Sequence, residues 1–188
     1  MTADEAAVAV IDALDRAAIP FMIVGSLASN FHGIPRASRD ADFLIRIGSS
    51  SMSALAAALP DGLRLEPQAA FETVTGTTRY LVTLRHSPFV CELFVCSDDP
   101  HDAARFARRE RVRVLDRDVF MATAEDMIIT KLRWATSANR AKDRDDVRNI
   151  IAVRDAELDW NYIERWCETD DTLALLGETR RSIPPAVR

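Results

Sequence analysis

The sequence predicts an α+β fold, in which a mixed β-sheet is flanked by helices and followed by a C-terminal helical part. Three observations lead to this prediction. Short runs typical of strands end before about residue 120. Helical periodicity dominates from there on. No Gly/Ser-rich linker separates the two parts. We therefore expect an α/β core over 1–120 and a helical subdomain over 121–188 that packs on it.

The first elements surround a short apolar strand. Apolar residues recur at helical spacing before Ile19-Pro20, which ends that helix. The run FMIV that follows is wholly apolar and is typical of a buried strand. The elements predicted here are a helix at 4–17, a strand at 21–24, a short helix at 26–33, a loop at 34–40 and a strand at 41–47.

The middle of the chain predicts a hairpin. Two strand-like runs are separated by Ser87-Pro88, and an Asp-capped helix and an alternating edge strand follow them. The elements predicted here are a serine-capped helix at 49–59, a turn at 60–62, strands at 77–86 and 88–96, a helix at 98–107 and an edge strand at 111–115.

The last third is predicted to be all helical. Its first helix has Thr123 as N-cap, with Asp126 three residues later. The four predicted helices cover 123–136, 138–155, 158–168 and 172–181.

Composition limits the function classes. A net charge of −5 argues against a protein that coats nucleic acid by charge alone. The three cysteines follow no ligand spacing, which indicates a reduced, cytoplasmic protein. The acidic, amphipathic N-terminus is unlike a signal peptide, and no apolar run approaches the roughly 18 residues of a membrane span.

Lysine is rare. Of the 24 basic side chains only Lys131 and Lys142 are lysine, and the rest are arginine. A coding bias towards arginine, or chance, explains the excess. Under a bias, the two surviving lysines mark sites that need a compact, rotatable ammonium group.

Asp40 and Asp42 stand at the start of the second predicted strand. Residues i and i+2 of a strand point to the same side, so the two carboxylates project together. Carboxylates this close repel one another unless a cation lies between them, and oxygen ligands favour Mg²⁺ or Mn²⁺. The alternative is an exposed, Asp-rich end of a strand.

Two further features favour a site. Gly25-Ser26 lies at a strand-to-helix turn, where backbone N–H groups and a hydroxyl are able to hold a phosphate. Glu92 lies within the apolar run FVCELFV, where a carboxylate must be paired or line a site, unless the strand is an edge with Glu92 facing solvent. Three carboxylates and a phosphate-holding turn suit two-metal phosphoryl or nucleotidyl transfer.

These residues carry a family resemblance. The stretch GSLASNFHGIPRASRDADFLI, from Gly25 to Ile45, resembles the first motif of the nucleotidyltransferase-fold superfamily that includes DNA polymerase β. The segments TAEDMIITKL and AKDRDDV, within 123–147, resemble the helical part of bacterial AbiEii-like, toxin-type nucleotidyltransferases. The likeness covers roughly residues 20–150.

The resemblance implies a nucleotide site and assigns its residues. An NTP such as ATP would be the substrate, its triphosphate held by Gly25 and Ser26. Metals would be bound by the three carboxylates, although the family commonly has Asp where this chain has Glu92. The remaining catalytic and nucleotide-binding positions implied are Lys131, Asp146 and Lys142.

Arginines near these motifs leave alternatives open. Arg36 would contact phosphate, pin Asp42, or be a plain surface residue. The arginine-rich segment 105–117 is either a solvated face or a surface for an RNA backbone such as tRNA, the acceptor of the toxin-type relatives.

The leading functional hypothesis is metal-dependent transfer of NMP from an NTP to an acceptor, with tRNA as a candidate acceptor and an antitoxin as a candidate partner. The first alternative is a catalytically silent binding or regulatory module, which the Glu92 departure suggests. The second keeps the chemistry but transfers NMP to a small molecule or a protein.

Overall fold

The computed structural model describes residues 1–47, 52–73, 76–138 and 140–184. Within them the elements, in chain order, are α1 (Ala3–Arg16), β1 (Phe21–Val24), α2 (Gly25–His32), β2 (Asp40–Ile45), α3 (Met52–Ala58), β3 (Leu63–Leu65), β4 (Ala70–Glu72), β5 (Thr77–Leu84), β6 (Val90–Val95), α4 (Pro100–Arg108), β7 (Glu110–Val114), β8 (Arg117–Met121), α5 (Ala124–Ala138), α6 (Ala141–Arg154), α7 (Trp160–Thr169) and α8 (Leu173–Arg181).

The chain divides into two compact units. The sheet unit comprises Met1–Leu27 and Ala37–Ala122, and the helical unit comprises Ala28–Arg36 and Thr123–Arg188. The segment from Ala28 to Arg36 thus groups with the C-terminal helices. The predicted division into a core over 1–120 and a helical subdomain over 121–188 packed on it stays a prediction.

The sheet unit holds a mixed sheet. Its strands, as far as the structure describes them, follow the order β3-β5-β6-β2-β1-β8-β7, with β4 paired to β5 at the side. β2 runs parallel to β6 and β1 parallel to β8, whereas β1–β2, β5–β6 and β7–β8 are antiparallel. These pairings confirm the predicted α+β class with a mixed sheet.

The alternation of side chains along β2 separates core from site. Ala41 and Phe43 are fully buried, as are Cys91 and Leu93 on the neighbouring β6. The intervening residues point to the opposite face because strand side chains alternate with period two. That opposite face of β2 begins with the two aspartates, both only half-buried.

The helical unit is built from amphipathic helices α5 to α8. Thr123 caps α5, since its hydroxyl accepts a hydrogen bond from the Asp126 amide, as predicted. Gly33 lies against α6. A Cβ added at Gly33 would come within 2.8 Å of the Ile150 amide nitrogen, so only glycine permits this approach.

The predicted helices and the five predicted strands are all found, with ends shifted by a few residues. Strands β3, β4 and β8 were not predicted. The serine caps predicted at 49–51 lie outside the described residues. Among the helices that the structure describes, none combines the length and apolarity needed to cross a membrane.

Candidate active site

Gly25 and Asp42 lie in direct contact at the start of α2. Gly25 ends the run of β1 with a left-handed backbone, at φ +60°. Asp42 is paired in register with Val24, and its side chain covers the Gly25 backbone. A Cβ on Gly25 would lie 1.7 Å from Asp42 Oδ2, so Asp42 would have to move to make room for it. Glycine therefore suits this position for two reasons: its backbone is left-handed, and the Asp42 carboxylate occupies the place of a Cβ.

Asp40 is oriented by two serines. The Ser26 hydroxyl donates to Asp40 Oδ1 at 3.0 Å and lies 3.1 Å from the Asp40 carbonyl oxygen. The Ser38 hydroxyl also donates to Asp40 Oδ1. Ser26 was predicted to hold the triphosphate; the structure places its hydroxyl on Asp40. The Ser26 backbone N–H, in the first turn of α2, is still predicted to bind phosphate.

Glu92 lies beside Asp42. The two residues are register partners on the parallel strands β2 and β6, so their side chains share one face of the sheet with Asp40. Glu92 is half-buried in the middle of the sheet and does not lie on an edge strand. Its carboxylate pairs with Arg79 of β5, with Nη1 3.1 Å from Oε1. Sequence reasoning missed Arg79.

The three carboxylates are of a ligand type that suits a divalent metal. Asp40, Asp42 and Glu92 offer only oxygen ligands, which Mg²⁺ and Mn²⁺ prefer. Their strands set them side by side. Over the described residues, no three His, Cys, Asp or Glu side chains are already gathered in a metal-binding group. The side chains of the site would have to turn inwards, and Glu92 would have to leave Arg79.

Lys131 lies within the helical unit between two buried aspartates. Its ammonium nitrogen is 2.8 Å from Asp143 Oδ1 and 2.9 Å from Asp146 Oδ2. The aspartates are 1% and 2% exposed, and Lys131 itself is 8% exposed. The lysine thus ties α5 to α6. Its predicted contact with nucleotide phosphates stays a prediction.

Arg36 completes this charge network. Its guanidinium forms a bidentate pair with Asp146, with Nε–Oδ1 2.6 Å and Nη2–Oδ2 2.8 Å. The Arg36 backbone is held by Asn30, whose amide accepts from Arg36 N–H and donates to its carbonyl. Of the readings that the sequence left open, a plain surface arginine is therefore wrong.

The motif K-D-x-x-D holds a residue that sequence reasoning missed. Asp143 and Asp146 lie three apart on α6 and so share a helix face, a spacing that would have found the pair. Arg140 lies 3.1 Å from Asp143 Oδ2 and ends the network. Lys142, predicted to bind nucleotide, is exposed on α6.

Burial and neighbouring charges shift the pKa values of Asp146 and Cys91. Burial acts to raise the pKa of Asp146, but the hydrogen bonds from Arg36 and the charge of Lys131 outweigh it and lower the pKa below its ordinary value. In the sheet unit, burial and the negative charge of Asp42 raise the pKa of the Cys91 thiol to about 12. Cys91 therefore stays protonated at neutral pH and is no nucleophile.

Three of the six arginines in the segment 105–117 are committed to contacts within the protein, whereas Arg108, Arg111 and Arg113 are exposed. Arg105 is buried against Asp102, and Arg117 forms a two-pronged pair with Asp12. The Arg109 guanidinium stacks on two rings, 4.3 Å from the Phe106 centroid and 4.5 Å from that of Phe120. Such arginines have little freedom to hold a phosphate backbone.

Among known proteins, this chain is similar in fold to several solved structures. The sequence matches no protein-family model, and no similar curated protein was found. Solved structures do match. The solution structure of the antibiotic-resistance factor ANT(2″)-Ia aligns with a TM-score of 0.64 at 13% identity, covering 95% of this chain and 96% of that one.

Other matches point the same way. The crystal structure of ANT(2″)-Ia with adenylyl-2″-tobramycin aligns with a TM-score of 0.59 at 15% identity, over 91% of this chain and 98% of that chain. An antigenic nucleotidyltransferase-like protein from Paracoccidioides brasiliensis aligns with a TM-score of 0.56 at 15% identity, over 96% and 93%. The chain therefore has the nucleotidyltransferase fold that its first motif resembles.

Proposed function

We propose that this protein transfers a nucleoside monophosphate from an NTP to an acceptor hydroxyl and releases pyrophosphate, using a divalent metal held by Asp40, Asp42 and Glu92. The observation that carries the proposal is the register of β2 and β6. It sets Asp42 beside Glu92 on the face that also carries Asp40, at the turn where Gly25 begins α2. The nucleotidyltransferase fold of the neighbours supports it.

Each group at this site has a distinct role in the proposal. A bound Mg²⁺ or Mn²⁺ would neutralise phosphate charge and lower the pKa of the acceptor hydroxyl. Asp40 is held by the Ser26 and Ser38 hydroxyls, so the fold sets the orientation of its carboxylate. Asp42 and Glu92 supply the neighbouring oxygens, and one of these carboxylates takes the acceptor proton. The first amides of α2 face the triphosphate.

The helical unit contributes through its charged network. The Arg36 side chain is about one-third exposed, and its Nε and Nη2 donate hydrogen bonds to the buried Asp146 carboxylate. In the proposal Arg36 binds phosphate, and Asp146 fixes the orientation of its guanidinium. Lys131 keeps Asp146 ionised, and we propose this electrostatic support in addition to the direct phosphate contact that the family resemblance implies.

A small-molecule acceptor is the second proposal, and specific observations favour it over tRNA. ANT(2″)-Ia, solved with adenylyl-2″-tobramycin, matches almost the whole of both chains. The net charge of −5 suits a cationic small molecule, and three arginines of the segment that would hold RNA are committed to Asp12, Asp102 and two aromatic rings. The tRNA acceptor, the toxin role and an antitoxin partner rest on the AbiEii-like sequence resemblance alone.

The test is a transfer assay with each of the four α-labelled NTPs and Mg²⁺ or Mn²⁺. Separate reactions contain total tRNA or an aminoglycoside such as tobramycin. Asp42→Asn is expected to reduce label transfer by about 10²-fold or more, because the metal loses a charged ligand. Asp61→Asn, at an exposed turn, is the matched control. Equal transfer by the wild type and Asp42→Asn would refute the proposal.

A further inference from the structure

Arg79 is a cation that pairs with Glu92, one of the carboxylates of the proposed metal site. It lies on β5 in register with Phe94, so it stands on the same sheet face as Glu92, one pair further along. Arg79 and Glu92 are 31% and 22% exposed, and Nη1 lies 3.1 Å from Oε1. The pair is therefore partly buried.

The guanidinium of Arg79 is not fully used by Glu92. Its Nε is buried and has no hydrogen-bond partner among the described residues. A buried donor without a partner is costly, and such groups in native proteins call for an explanation. Because this donor lies beside the proposed metal ligands, a ligand oxygen is the partner that it lacks.

A metal and Arg79 compete for the same carboxylate. The three carboxylates and Arg79 together carry a charge of −2, so the arginine already neutralises part of the site. A divalent ion held by Asp40 and Asp42 would attract the Glu92 carboxylate as a third ligand. The guanidinium, which stays charged at every physiological pH, then has to find another anion.

We propose that Arg79 is a counter-ion that exchanges partners: it neutralises Glu92 when the site is empty and turns to the triphosphate when metal binds. This inference rests on the proposed function. A guanidinium presents forked donors that match phosphate oxygens, and Nε is the donor still lacking a partner. Metal and nucleotide binding are thereby coupled through one side chain.

The exchange gives a reason for glutamate at position 92. A glutamate reaches one methylene further than an aspartate. It can therefore contact Arg79 of β5 while its backbone remains the register partner of Asp42 on β2. An aspartate in the same place would serve the metal but would be too short to hold Arg79.

The test measures metal and phosphate binding separately, without turnover. Mn²⁺ alone is titrated calorimetrically into the wild type, Arg79→Gln, Arg79→Lys and the control Arg85→Gln, whose side chain is exposed beyond β5. Inorganic tripolyphosphate, which avoids the question of the base, is then titrated as its Mn²⁺ complex into Mn²⁺-saturated protein.

Arg79→Gln is expected to bind Mn²⁺ about five- to tenfold more tightly, because Glu92 is released, and the Mn²⁺–tripolyphosphate complex about tenfold more weakly. The opposite signs matter, since a merely structural arginine would weaken both. Arg79→Lys keeps the charge and guards against misfolding. It should retain Mn²⁺ affinity close to that of the wild type and lose part of the tripolyphosphate affinity.

The outcomes separate this inference from the proposed function. If the wild type binds no Mn²⁺, or binds it equally with Asp42→Asn, the proposed function fails and the exchange fails with it. If Mn²⁺ binding depends on Asp42 but is unchanged or weakened in Arg79→Gln, the exchange alone is refuted.

Discussion

Replacing Gly25 by alanine should disable the site while leaving the fold in place. The added Cβ would lie 1.7 Å from Asp42 Oδ2, 2.5 Å from Cγ and 2.6 Å from Cβ. Ordinary contact begins near 3.4 Å, so the carboxylate oxygen would have to move by about 1.7 Å. A displacement of about 1 Å at a catalytic group costs roughly 10²-fold in rate, and we expect at least that loss in transfer.

Stability should change less than activity in this variant. The left-handed backbone at Gly25, φ +60°, costs an alanine about 1 kcal/mol. Gly76 provides the matched control, because its φ is +64° and a Cβ there would meet no atom within 4 Å. Gly76→Ala should therefore show the same backbone cost in urea unfolding with unchanged transfer.

The assays are urea unfolding, Mn²⁺ titration and the labelled-NTP transfer reaction, applied to both glycine variants. Gly25→Ala should bind Mn²⁺ more weakly as well as transfer more slowly, because Asp42 is displaced. Full transfer activity in Gly25→Ala would refute the reasoning, since it would mean that Asp42 does not need to lie against the turn. An equal loss in Gly76→Ala would show instead that backbone strain explains the effect.

Two further predictions concern the helical unit. Lys131→Met should lower the free energy of unfolding by about 3–5 kcal/mol, because the buried Asp143 and Asp146 lose one of the cations that pair with them. Urea unfolding measures this free energy, and a loss below about 1 kcal/mol would contradict the prediction. Because the pKa of Asp146 is lowered in the folded state, its ionisation contributes stability that is complete above its unfolded pKa of about 3.9 and is lost as pH falls through the folded value. Asp146→Asn should therefore flatten the stability–pH curve below about pH 4, and an unchanged curve there would refute the assignment.

Local signals in the sequence predicted most of the fold. The apolar run of β1, the threonine cap of α5 and the Ser-Pro turn of the β5–β6 hairpin each act within a few residues. β8 lacked such a signal. It pairs with β1 through Ile23 and Met121, which are far apart in the chain, and it follows directly on an arginine-rich strand. Tertiary pairing, which no local pattern shows, determines that element.

The same distinction holds for the candidate site. The spacing of Asp40 and Asp42 on one strand predicts their shared face, because period two is a local property. The contact between Arg79 and Glu92 depends on the register of two strands, which the hairpin turn sets and the composition of neither strand reveals. The rarity of lysine marked Lys131 as special, but it could not show that buried aspartates, and not solvent, surround its ammonium group.

The ionisable residues of the helical unit and those of the sheet unit differ in charge balance, and we expect them to differ in chemical role. In the helical unit, Arg36, Lys131 and Arg140 face two aspartates that are almost fully buried, so the network is already compensated by its own members. In the sheet unit Asp40, Asp42 and Glu92 are only half-buried, and Arg79 pairs with Glu92. A compensated network stabilises the fold, whereas a negatively charged and partly exposed group gains most from a cation that arrives with the substrate. This difference in charge is why we propose that the nucleotide chemistry takes place on the face of β2 and β6, and that the helical network supports the fold.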